Sequence, residues 1–209
     1  MELLLASGNA KKLAELSRLV ADLGVHVRAP HEVGPLPEVD ESGATFEANA
    51  LLKARAWAAA SGLVCIADDS GLEVDALGGA PGVHSARYAG VHGDDAGNTR
   101  KLLAAVAEVA PAARTARFVC ALAVAAPDGA LLAAARGTVA GRIAAAPRGE
   151  GGFGYDPVFE CDDPGLPAEL CGRTFAELSH AEKALVSHRG RALSNLREDL
   201  RALARGGVN

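Results

Sequence analysis

Asp68 and Asp69 stand side by side at the end of an apolar run, Leu63 to Ala67, and are followed by Ser70-Gly71. Two adjacent carboxylates can hold a divalent cation and polarise a water, which is the equipment of phosphoester hydrolysis. Asp, Ser and Gly are also ordinary turn residues, so the doublet by itself is equally a plain turn. We read the segment as a strand ending at the two acids, a glycine turn, and a second strand around Leu72 to Ala76.

Three other segments carry residue types that could do chemistry beside those acids. Ser7-Gly8-Asn9-Ala10-Lys11-Lys12 follows the apolar run Glu2 to Ala6 and precedes a helical pattern. Free backbone N–H groups and the positive end of the helix dipole favour an anion there, and Lys12 strengthens a phosphate-cradle reading over simple helix capping. In the stretch from Glu41 to Ala54, Asn49 and Lys53 are four apart and share a helix face, with Phe46 one turn before them. Glu41, in the loop ahead of that helix, is a candidate third carboxylate.

Gly149 to Gly154 formally contains G-x-G-x-x-G, the dinucleotide-binding pattern. The context rejects it, because that fingerprint must open a helix directly, whereas Pro157 follows within three residues and biases Asp156 away from helix. A glycine-lined loop presenting Phe153, Tyr155 and Asp156 suits a wall that stacks on a base or holds a sugar. Lys183 and His188 are five residues apart, about 140° around a continuous helix, so they converge only if the helix breaks between them. Arg189 follows, at the start of the last helix in that case.

The elements that must position these groups read as α/β. Leu13, Leu16, Leu19, Val20 and Leu23 give helical spacing over Lys12 to Leu23. Val25 to Ala29 is a second strand, and residues 30–44, rich in Pro and Gly, an exposed loop. Thr45 caps a helix to about Ala60, and a further helix runs from about Ala96 to Val109. Arg117 to Ala126 and Ala130 to Ala135, joined by Pro127-Asp128-Gly129, form a hairpin that Val139 to Ala144 extends. From Ser179 to Arg205 the chain is helical, with an interruption near Ser187-His188-Arg189.

The 209 residues are 49% hydrophobic and 22% charged, enough for one sizeable domain or two lobes. A formal net charge of −5 with dispersed arginines gives no footprint for a nucleic-acid backbone. No apolar run approaches the roughly 20 residues that cross a bilayer. The four cysteines, Cys65, Cys120, Cys161 and Cys171, lack C-x-x-C spacing, so reduced thiols in the cytoplasm are expected.

Together these segments closely resemble the inosine triphosphate pyrophosphatase family, which hydrolyses non-standard purine nucleoside triphosphates to the monophosphate and pyrophosphate. The resemblance runs almost end to end. It is carried by Ser7-Gly8-Asn9 with Lys12, Glu41-Ser42-Gly43, Thr45-Phe46, Asn49-Ala50 and Lys53-Ala54. The block from Ala67 to Gly90, Phe153-Gly154-Tyr155-Asp156-Pro157 and Ser187-His188-Arg189 complete it. One departure is Ala48, where the family commonly has Glu. With Thr45 as N-cap, that position is N3, the place of a capping-box glutamate, and Glu47 points about 100° away on the helix.

The resemblance implies an α/β fold around a long mixed sheet with flanking helices, a single domain over residues 1–209 made of two lobes with a nucleotide cleft between them, and a homodimer. It implies that Ser7, Gly8, Asn9, Ala10, Lys11, Lys12 and Lys53 hold the triphosphate. Glu41 and Asp69 bind Mg²⁺, and Asp69 is also the general base. Ser70, Phe153, Gly154, Tyr155, Asp156, Lys183, His188 and Arg189 line the substrate, with inosine, deoxyinosine and xanthosine triphosphates the expected class. Neither nucleic acid nor membrane is an expected partner. Two rival readings are an aspartyl-phosphate phosphatase, whose D-x-D motif requires an acid where Ser70 stands, and a catalytically silent nucleotide sensor sharing the cradle.

Overall fold

A computed structural model describes residues 1–206, except for the side chains of Lys11, Glu15, His180, Ala184 and Leu185. Six strands form one mixed sheet in the order β2-β1-β3-β4-β5-β6. They are β1 (Glu2–Leu5), β2 (His26–Arg28), β3 (Cys65–Val74), β4 (Thr115–Ala125), β5 (Leu131–Ile143) and β6 (Phe159–Cys161). β1 pairs in parallel with β2 and β3, whereas β5 and β6 are antiparallel. Among the described residues five α-helices accompany them: α1 (Ala10–Val20), α2 (Phe46–Ser61), α3 (Asp95–Ala105), α4 (His180–Val186) and α5 (His188–Gly206).

Local chemistry explains the helix ends. Thr45 is extended and its hydroxyl accepts the Ala48 N–H at 3.1 Å, opening α2; Gly62 at φ 70° closes it. Ser179 accepts the Glu182 N–H at 3.3 Å and the Glu182 carboxylate returns to the Ser179 N–H at 2.7 Å, a complete capping box. Ser187, extended at ψ 143°, separates α4 from α5, so the expected interruption falls where the sequence placed it. The hairpin closes through Gly129 N–H to Ala126 O and Ala126 N–H to Ala130 O, both 2.9 Å.

The chain clusters into two compact units. The first comprises Met1–Asp69, Cys120–Gly137 and the C-terminal segment from Arg191; the second comprises Ser70–Val119 and Thr138–Gly190. In the first unit, Leu16 and Val20 of α1 and Ala192, Leu193, Leu196 and Leu200 of α5 pack on Leu3, Leu5, Val64, Ile66, Leu122 and Val124 of the strands. The second has its own core, in which Phe118, Phe159 and Phe175 meet with ring centroids 4.5 to 5.4 Å apart. Among the described residues no helix is long and apolar enough to cross a membrane. Cys65, Cys120 and Cys161 are buried and Cys171 is exposed, all as thiols.

One sequence expectation fails here. The strand does not end at Asp68-Asp69: β3 runs unbroken through both acids, Ser70 and Gly71 to Val74. As the strand between β1 and β4, it has a ladder on each side, and that pairing overrides the turn preference of Asp-Asp-Ser-Gly. Of the strand expected at Leu72 to Ala76, Leu72 to Val74 belong to its second half, and Asp75–Leu77 is a 3-10 turn.

Candidate active site

Successive side chains on a strand point to opposite faces, so β3 sends its two acids apart. Asp68 shares the face of Val64 and Ile66, and its two carboxylate oxygens accept from Lys12 Nζ of α1 at 2.8 and 2.7 Å. Asp69 turns to α2, where Asn49 Nδ2 donates to its Oδ2 at 3.0 Å and Lys53 Nζ stands 3.6 Å from its Oδ1. The same ammonium donates to Glu41 Oε1 at 3.2 Å. Asn49 is fully buried, and its Oδ1 accepts the Gly43 N–H at 2.8 Å, pinning the loop that carries Glu41. Asn49 and Lys53 thus share a helix face, as their spacing predicts, and that face looks onto the acid.

This grouping of Glu41, Asp69 and Lys53 fits a hard divalent cation. Both carboxylates reach one ammonium, the donors are all oxygen, and Mg²⁺ ordinarily takes one or two carboxylates, with waters and phosphate oxygens completing its octahedron. Among the described residues no cluster of three or more His, Cys, Asp or Glu is poised for a metal.

The segment before α1 shows the capping contacts its residue types favour. Ser7 Oγ accepts the Asn9 N–H at 3.2 Å and Asn9 Oδ1 accepts the Lys12 N–H at 3.4 Å, so Asn9 caps the helix while Gly8, Asn9 and Ala10 stay exposed. The Lys11 side chain lies outside the described residues. Ser70 follows Asp69 on β3 and is half-buried.

In the second unit the loop before Pro157 leads into a short 3-10 turn, Asp156–Val158, and not into a helix, as its proline requires. Phe153 is 60% exposed, whereas Asp156 is buried, takes the Phe153 N–H on Oδ2 at 2.8 Å and is ion-paired to Lys183. The Lys183 ammonium lies 5.0 Å from the Phe153 ring centroid and 5.3 Å from that of Phe175. His188 stacks on Phe118 at 5.0 Å, and Phe118 in turn stacks on Phe175 at 5.4 Å. The break at Ser187 therefore brings Lys183 and His188 onto one aromatic cluster. Arg189, half-buried, occupies the first turn of α5.

Tyr155 stands elsewhere than the loop wall. It is 5% exposed, its hydroxyl donates to Ser85 O at 2.9 Å, and burial raises its pKa above the usual phenol value. Its ring is an anchor beneath the loop, leaving Phe153 as the exposed aromatic.

A model of the Ham1 family matches residues 3–199. The chain belongs to the Ham1 family. It is 53% identical over 206 residues to a dITP/XTP pyrophosphatase of Mycolicibacterium paratuberculosis, covering 97% of each chain. A crystal structure of a nucleoside-triphosphatase / dITP/XTP pyrophosphatase from Mycobacterium abscessus is 49% identical, with a TM-score of 0.78 over 94% of this chain and 97% of that one. A Ham1 protein from Coxiella burnetii is 41% identical, with a TM-score of 0.87 over 97% and 99%.

Within this Ham1 chain the structure also shows what surrounds Ala48, where the family commonly has Glu. Glu47 does not approach Asp69's partners; it pairs with Arg136 at 2.7 Å, half-exposed. Ala48 is indeed at N3, so the cap keeps its Thr45 half and lacks the returning carboxylate. Asp68, read from the sequence as one of a pair of acids that could hold a cation, instead pairs with Lys12, and Asn49, read as facing a polar site with Lys53, holds Asp69. The parity of β3 could have flagged Asp68, an acid on the face of Val64 and Ile66 that requires a cation.

Proposed function

We propose that this chain hydrolyses non-standard purine nucleoside triphosphates, those of inosine, deoxyinosine and xanthosine, to the nucleoside monophosphate and pyrophosphate. The observation that carries the reading is the Asp69 carboxylate, held by Asn49 and Lys53 beside Glu41. A carboxylate so placed can take the proton of a water attacking the α-phosphorus while pyrophosphate leaves in line. Lys53 and Lys12, with the amides of residues 7–10, supply fixed positive charge where the leaving group develops negative charge.

Glu41 and Asp69 are the residues that would hold Mg²⁺, which when bound neutralises phosphate charge and lowers the pKa of water. On the second unit, Phe153 offers a ring face to a purine, and Lys183, Asp156, His188 and Arg189 supply hydrogen-bonding groups of both signs around it. The proposal takes residues 1–209 as one pyrophosphatase domain. A homodimer and a cytoplasmic location follow from the family resemblance and are part of the proposal.

The test is a pyrophosphate-release panel over inosine, xanthosine, guanosine and adenosine triphosphates, with Mg²⁺ and with chelator. Pyrophosphate and monophosphate from the first two, abolished by chelator and restored by Mg²⁺, is the expected result. Orthophosphate as primary product overturns the cleavage site. Tight nucleotide binding without any turnover would make the chain a sensor.

A further inference from the structure

The loop that carries Phe153 and Asp156 is itself held by a helix that has no part in the reading above. Gly154, at φ +59°, presents both of its backbone groups to α3. Its N–H donates to Asp95 Oδ2 at 2.7 Å, and its carbonyl accepts from Thr99 Oγ1 at 3.3 Å. Asp95 and Thr99 are one helical turn apart and therefore on one face. The helix is fixed in its turn: Asp94 caps it through the Gly97 N–H at 2.9 Å, and Asn98 accepts the Ala89 N–H at 2.7 Å and donates to Ala86 O at 3.3 Å.

We infer that Asp95 and Thr99 are positioning residues for base recognition, fixing the peptide at Gly154 so that Phe153 and Asp156 face the substrate in one orientation. The inference rests on the reading that this loop takes the purine. Phe153 and Asp156 flank the clamped residue, and they are tied to one another by the Phe153 N–H on Asp156 Oδ2 and the Asp156 N–H on Phe153 O at 3.2 Å. Turning the Gly154 peptide would break that pair and displace Asp156 from Lys183. Asp95 is exposed, so its carboxylate is not required to neutralise a buried charge, and at α3's first turn a negative charge is favourable in any case. Its acceptor oxygen and its charge have separable roles.

Asp95→Ala removes acceptor and charge, whereas Asp95→Asn removes the charge and keeps an acceptor. We expect Asp95→Ala to raise KM for inosine triphosphate about ten-fold, the effect of losing one charged hydrogen bond, with kcat within about two-fold. Asp95→Asn should restore most of the KM. Thr99→Val should raise KM and Thr99→Ser should not, and this pair carries the test should Asp95→Ala fail to fold. Phe153→Ala is assayed in parallel, alone and combined with Asp95→Ala. If the clamp acts through the loop, Asp95→Ala adds little in the Phe153→Ala background. A normal KM in Asp95→Ala with a raised KM in Phe153→Ala overturns the clamp and leaves the base-loop reading standing. A normal KM in Phe153→Ala overturns that reading, and the inference with it. A defect in Asp95→Asn equal to that in Asp95→Ala would reduce Asp95 to a helix-dipole charge.

Discussion

Lys12 binds both oxygens of Asp68, at 2.8 and 2.7 Å, and so neutralises an acid that is 4% exposed in the middle of a strand. The two neighbouring aspartates therefore divide their work. Asp68 fixes Lys12 at the start of α1, and Asp69 faces Asn49, Lys53 and Glu41.

Removing one member of a buried ion pair leaves the other charged and dry. Lys12→Met is predicted to destabilise the fold by ~3–5 kcal/mol, towards the lower figure because Lys12 retains some solvent. Lys12→Met combined with Asp68→Asn should recover part of that loss. Urea unfolding of the three proteins checks it, and an additive double mutant would contradict the pairing.

Asp69→Asn preserves shape and an oxygen towards Asn49 while removing the charge. We expect kcat to fall by ~10²–10⁴-fold from loss of general-base catalysis, with a further fall from weakened cation binding, and a melting temperature close to the parent's. Near-normal kcat at saturating Mg²⁺ would show that another group takes the proton.

Selectivity is predicted to depend on Arg189. Inosine and xanthosine carry a 6-carbonyl acceptor where adenine has an amino donor, and a guanidinium can only donate. Arg189→Ala should lower kcat/KM for inosine triphosphate by roughly 10- to 150-fold, and much less for adenosine triphosphate. An equal fall for the two nucleotides would assign Arg189 to the phosphates.

Tyr155→Phe removes the hydroxyl donated to Ser85 O and should cost about 1 kcal/mol at neutral pH. Burial raises the folded-state pKa above the ordinary value of 10.0. The stability linked to the protonated phenol is therefore complete below pH 10 and is lost as pH rises from there through the folded pKa. The gap in melting temperature between parent and Tyr155→Phe should narrow above pH 10; a constant gap would indicate that the phenol is not protected by the fold.

Local signals were legible wherever one residue type decides the backbone: Thr45 opening α2, Pro127-Asp128-Gly129 closing the hairpin, and the break at Ser187 between α4 and α5. Asn49 with Lys53 was legible as a face, because four residues make one turn. The course of β3 through Asp-Asp-Ser-Gly was not, since its cause is pairing with two strands remote in sequence. Asp95 and Thr99 belong to no motif, and Ser85, though inside the Ala67–Gly90 block, shows no role by its type. They act on backbone atoms of Gly154, Leu72 and Gly82, or through their own carbonyl on Tyr155, and such contacts are visible only once the chain is folded.

The uninterrupted course of β3 also bears on how this chain can change over generations. A single residue inserted between Val64 and Asp69 would exchange the faces of everything beyond it, placing one aspartate against α2 or α1 at the expense of the other. No conservative replacement compensates for such a frame change within a strand paired on both sides. Length drift in this lineage is thus expected to be confined to places like residues 126–130 and 30–44, while the ten residues of β3 keep their number even where their identities vary.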